Sequence, residues 1–165
     1  MNLFLIIGLF LLGMLSISLV SFFTGRKLRG RFASNEVPVS VNVFRGSHLI
    51  SLALLTEKIA LPFGELTNIL RNSWQGWDLL IKQGIYLSLF FAIILVVYLV
   101  LSWVAAIAFS LMAKGGRLIE EAIEGNISNI MLFAGIQIAL VIVVRGAIPD
   151  LLSVLIPYPN LPGFH

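Results

Sequence analysis

A chain of 165 residues that is 59% hydrophobic and 12% charged, with a mean hydropathy of +1.01, carries about half the charge that a soluble domain uses to coat itself. That composition argues against a water-soluble fold and predicts one integral membrane domain, residues 1–165. The lack of cysteine excludes disulfides, iron–sulfur clusters, thiolate zinc and cysteine catalysis, and the formal charge of +3 matters by its placement more than its sum.

The first apolar run, Leu3 to Phe23, is uncharged. Its length of about 31 Å as a helix equals the thickness of a hydrocarbon core. A cleaved secretory signal would carry its basic residues ahead of the apolar stretch. Here they follow it, in Arg26, Lys27, Arg29 and Arg31, which favours a retained spanning helix. A connector over residues 25–46 follows, punctuated by Gly25, Gly30, Pro38 and Gly46.

The second segment, residues 47–66, carries Glu57, Lys58 and Glu65. It either spans or lies amphipathically in the interface. If it spans, Arg26, Lys27, Arg29, Arg31, Arg45, Lys114 and Arg117 share one face, as the positive-inside bias favours. After it, Trp74, Trp77, Leu80 and Ile81 recur at helical spacing and predict a short interfacial helix over about residues 72–83. An ordinary aromatic belt explains these rings more simply than a ligand cage. The third span, residues 85–112, is uncharged throughout and, at about 42 Å, must tilt or protrude. A polar hairpin leads to the fourth, residues 127–148, which contains Arg145 and is expected to stop at Pro149-Asp150.

A shift of 86 residues sets Ile50-Ser51-Leu52-Ala53-Leu54 against Ile136-Gln137-Ile138-Ala139-Leu140, and brings Pro62 within one position of Pro149. Two parallel-topology helix hairpins would produce this pattern; chance similarity between apolar sequences is the alternative.

The stretch from Ile123 through Gly125-Asn126 to Ile130, followed by Ala134-Gly135-Ile136-Gln137-Ile138-Ala139, resembles the last-helix signature of the domain of unknown function 350 family. The resemblance is strongest over about residues 110–150. It implies a small bacterial inner-membrane protein of two repeated helix pairs with no enzymatic activity, and a link to membrane stress or remodelling. Phe44-Arg45-Gly46-Ser47-His48 stands where that family has an Asn-Pro-Ala-rich opening, which implies a distant member.

Among side chains that could carry chemistry, intramembrane charges come first, since each costs at least about 2.5–3.5 kcal/mol at the bilayer centre. Glu57 and Lys58 fall near mid-depth of the second segment. Glu65 and Arg145 fall at matching depths of the second and fourth. The last two form an ion pair, snorkel separately, or mark a proton or ion pathway. Glu120, Glu121 and Glu124 read as a solvated acidic patch, with a divalent-cation site as the alternative. His48 and His165 lie at opposite ends of the topology and cannot clamp one haem in a monomer. Small residues recur every four positions at Ser102, Ala106 and Ser110, and again at Gly135 and Ala139, the spacing of close helix contacts.

The expectation is an all-α polytopic protein with four transmembrane helices and both termini outside, in a bacterial inner membrane or a thylakoid-type membrane. No catalytic, cofactor or metal residues are expected. Its partners would be membrane lipids and other subunits or copies of itself, but not nucleic acid. The leading functional reading is an accessory or scaffold subunit, and the alternative is a small oligomeric channel or transporter.

Overall fold

The computed structural model describes residues 8, 13–15, 18, 38–113 and 117–157. Most of the first predicted span, Arg26, Lys27, Arg29, Arg31, Lys114 and His165 lie outside the described residues. Among the described residues the protein is all-helical, with no strands. Its elements are α1 (Val39–Thr56), a 3-10 turn (Glu57–Ile59), α2 (Ala60–Ser73), α3 (Gly76–Met112), α4 (Leu118–Ile123), α5 (Ile127–Val144), a second 3-10 turn (Arg145–Ala147) and α6 (Ile148–Ser153).

Helix α1 starts eight residues before the predicted second segment. Pro38 provides the reason: its fixed ring sits at the N-cap in an extended conformation, and its carbonyl accepts the first turn's bond from the Val41 amide at 3.0 Å. Arg45 therefore lies on a helix and not in the basic connector. The helical path then bends at residues 57–59 and 145–147, each time four residues before a proline. Pro62 has no N–H for the Lys58 carbonyl and Pro149 has none for Arg145, so the α-helical ladder gives way to a 3-10 turn. Pro149 does not end the last helix, because it falls in the first turn of α6, where a missing donor is harmless.

No separate interfacial helix covers residues 72–83. Trp74 is extended, and Gly76, at φ 59°, opens one uninterrupted helix of 37 residues. With no proline inside it, α3 runs about 55 Å, longer than the hydrocarbon core. Its first turns carry Trp77, 81% exposed, and Lys82, whose ammonium lies 5.2 Å from the centre of the Trp74 ring. Two helical stretches, Gly76–Met112 and Ile127–Ser153, are long and apolar enough to cross a membrane.

Helices α1 and α5 pack along each other, with α3 against both. Their buried faces repeat: Ser47, Ser51, Leu55, Leu66 and Leu70 correspond, 86 residues later, to Phe133, Gln137, Val141, Leu152 and Ile156. Ser40 Oγ donates to the Ala122 carbonyl at 2.6 Å, which ties the start of α1 to the α3–α5 hairpin.

Glu120 and Glu121 of the hairpin are engaged, whereas Glu124 is exposed. Glu120 pairs with Arg117 at 3.0 Å. Glu121 accepts from the side-chain amides of Asn126 (2.8 Å) and Asn129 (2.9 Å), while Asn126 caps α5 by accepting from the Asn129 amide. Glu121→Ala is expected to lower stability by about 1–3 kcal/mol, because two amide groups lose a charged acceptor. Thermal denaturation in detergent measures it.

Candidate functional site: a polar network inside the bundle

Polar side chains converge from three helices between two apolar layers. One layer, toward the α2–α3 connection, contains Phe63, Phe90, Ile94 and Leu152. The other, toward the hairpin, contains Ala105, Phe109 and Phe133. His48 and Ser47 come from α1, Tyr98 and Ser102 from α3, and Gln137 from α5. Helical spacing explains the assembly: Tyr98 and Ser102 are four apart and share a face, as do Phe133, Gln137 and Val141 on α5.

Gln137 is fully buried and is the hub. Its Nε2 lies 2.8 Å from His48 Nδ1 and donates to Ser102 Oγ at 3.1 Å. Its Oε1 accepts from Ser47 Oγ at 3.2 Å. Ser47 Oγ also faces the Phe44 carbonyl at 2.8 Å. Tyr98 Oη lies 2.7 Å from the same Nδ1. With the amide in this orientation Nδ1 is an acceptor, and the imidazole proton resides on Nε2. An aromatic collar surrounds the ring: Phe44 meets it edge-on at 4.4 Å between centroids, and Phe133 lies at 5.7 Å. Chemically, this is a neutral imidazole within a set of groups that can each donate or accept.

The residues singled out in the sequence fare differently. Glu57 and Lys58 form an ion pair at 3.4 Å in the first 3-10 turn, with Glu57 63% exposed. Adjacent residues point about 100° apart on an α-helix and about 120° apart in a 3-10 turn, so adjacency alone did not make them a pair. No ion pair joins Glu65 to Arg145 among the described residues. Glu65 lies on the exposed side of α2, opposite Phe63, Leu66 and Leu70, and Arg145 is half-buried in the second 3-10 turn. Depth matching alone had paired them, and the facing of α2 separates them.

Ser102 joins the network and Ala106 packs beside the hairpin-side core, whereas Ser110 is exposed. Gly135 and Ala139 are exposed as well, and a Cβ at Gly135 would meet nothing within 4 Å. Among the described residues they therefore form no seam: they project from α5 about 200° away from Gln137. Arg45 is half-buried at the hairpin end of α1, with its Nε enclosed and without a hydrogen-bond partner.

The reading by intramembrane charge overlooked His48, Tyr98 and Gln137 as a unit. The signal was present. Each is a polar group about 10 to 15 residues from the hairpin end of its helix, so all three reach one depth. Comparison with known proteins found no matching family model, no matching curated protein and no matching solved structure.

Proposed function

We propose that this chain is a non-enzymatic, multi-pass membrane subunit that holds a partner through its helices and its basic cytoplasmic face. The observation that carries this reading is the apolar outer surface of α3 and α5. Val96, Leu99, Trp103 and Leu111 on α3, and Met131 and Val143 on α5, are all more than half exposed. Such a surface requires lipid or other helices as its solvent. Because α1 begins beside the hairpin and α2 ends at the start of α3, α1–α2 runs the length of the bundle beside α5–α6. This favours its being a span. With the first apolar run, the count becomes four spans with both termini outside, built as two repeated hairpins. The basic loop then faces the cytoplasm of a bacterial inner membrane, or the equivalent face of a thylakoid-type membrane. The likeness to the domain of unknown function 350 family agrees with that arrangement and with a role in membrane stress or remodelling.

Support for a non-enzymatic role comes from the network itself. The Nδ1 of His48 is occupied by Tyr98 and Gln137, and among the described residues no carboxylate orients the ring as a general base. The test is purification in mild detergent, with the mass of the particle and its component chains measured. A second polypeptide in fixed stoichiometry is expected; a monodisperse monomer would overturn the reading. A homo-oligomer enclosing a polar lumen would favour a channel or transporter. The observation favouring that second reading is the polar network deep in the bundle.

A further inference from the structure

We infer that His48 is a reversible proton-binding site in the interior of the bundle, whose charged form is held by a half-turn of the Gln137 amide. The geometry shows why one set of heavy atoms serves both states. In the neutral state Gln137 Nε2 donates to His48 Nδ1 and to Ser102 Oγ, and its Oε1 takes a hydrogen from Ser47. Ser47 has one hydrogen but two acceptors, Gln137 Oε1 at 3.2 Å and the Phe44 carbonyl at 2.8 Å. The Ser47 hydrogen serves only one of these at a time.

Adding a proton to Nδ1 turns that atom from acceptor to donor. Rotation of the amide by half a turn then places Oε1 against Nδ1–H and the Ser102 hydroxyl, both of which donate to it. Nε2 now donates to Ser47 Oγ, whose own hydrogen settles on the Phe44 carbonyl. Tyr98 Oη, 2.7 Å from Nδ1, turns a lone pair toward the same hydrogen, which it shares with Gln137 Oε1. Every partner of Gln137 is a hydroxyl or the imidazole, so each accepts the inversion without moving. The proton comes from the aqueous phase and returns to it, and no covalent bond between heavy atoms changes.

Among the described residues, the groups that face His48 are few. Helix α3 presents Tyr98, α5 presents Phe133 and Gln137, and α1 itself presents Phe44. Arg45, three residues earlier, is the charged residue nearest to it along α1. None of these is a carboxylate, so hydrogen bonds alone stabilise the imidazolium. This inference is independent of the scaffold reading and stands or falls without it.

Nitrogen NMR of histidine-labelled full-length protein in lipid bilayers tests it. The His165→Asn background leaves His48 as the sole imidazole. At about pH 8 the ring is expected to be neutral with its proton on Nε2, and acidification should protonate Nδ1 reversibly while the helices persist. Gln137→Leu removes the acceptor for the charged form and should lower the titration midpoint by about 1 pH unit or more, the scale of a lost hydrogen bond to a charged group. Should that variant fail to fold, Ser47→Ala removes the group that receives the rotated amide, and a lowered midpoint is again expected. A ring that stays neutral until the helices are lost overturns the inference. So does an unchanged midpoint in whichever variant folds.

Discussion

Replacing Phe133 with alanine is expected to cost about 3–5 kcal/mol, the range for deleting a well-packed ring. Phe133 is 1% exposed. Its ring lies 5.5 Å from that of Phe44, 5.7 Å from His48 and 6.2 Å from Phe109, so it bridges the hairpin-side core and the polar network. Helix backbones cannot collapse far enough to close such a void, because α1, α3 and α5 are held together by the bonds to Gln137. Phe133→Leu keeps most of the volume and should cost about 1.5 kcal/mol or less. Thermal or denaturant unfolding in detergent separates the two. Near-equal, small losses for both variants would mean that the collar is loosely packed and does not position His48.

The second large effect is an all-or-none difference in accessibility. The chain contains no cysteine, so single cysteines can be introduced freely. Asn42→Cys and Glu124→Cys, both exposed, should react with an impermeant thiol reagent from one side of the membrane. Ser73→Cys should react only from the other. The physical reason is the bond from Ser40 to the Ala122 carbonyl, which places the start of α1 at the hairpin, while Ser73 adjoins the opposite end of the 37-residue α3. Labelling of Asn42→Cys and Ser73→Cys from the same side would mean that α1–α2 lies along one face of the membrane, and the four-span topology would fall. In the proposed orientation the Asn42 and Glu124 side is the cytoplasmic one, so the reagent is expected to reach it from that side.

These two experiments address different levels of the molecule. The first asks whether the interior is packed tightly enough to hold one imidazole in one environment. The second asks how that interior is oriented across the bilayer, which neither packing nor hydrogen bonding determines. The orientation depends on where basic residues can reside, and so on Arg26, Lys27, Arg29 and Arg31 in the sequence as well as Arg45 on α1 and Arg117.

Much of the architecture was legible in the sequence because it depends on local or additive properties. The uncharged run ending at Met112 and the apolar run beginning at Ile127 mark the two long helices directly. Hydropathy sums over a segment and needs no knowledge of neighbours. The prolines at 62 and 149 act on their own helices through a missing N–H, and a 3-10 turn precedes each. Pro149, however, was expected to stop the fourth span and instead falls in the first turn of α6. The similar fragments 86 residues apart also coincide with a repeat of buried positions, because helical periodicity carries a buried face along with the sequence.

What the tertiary structure alone decided is which faces meet. Depth can be counted from a helix end, and it set Glu65 level with Arg145, but facing depends on how the helices are rotated about their axes. Glu65 turned outward on α2, and Gly135 and Ala139 turned away from the core on α5. By the same rotation Gln137, a residue to which the sequence reading gave no polar role, links His48, Ser47 and Ser102. Composition, span length and bends were therefore set by the chain locally. The site was set by the packing of α1, α3 and α5, because hydrogen bonds between helices require both matched depth and matched rotation, and only the assembled bundle fixes the second.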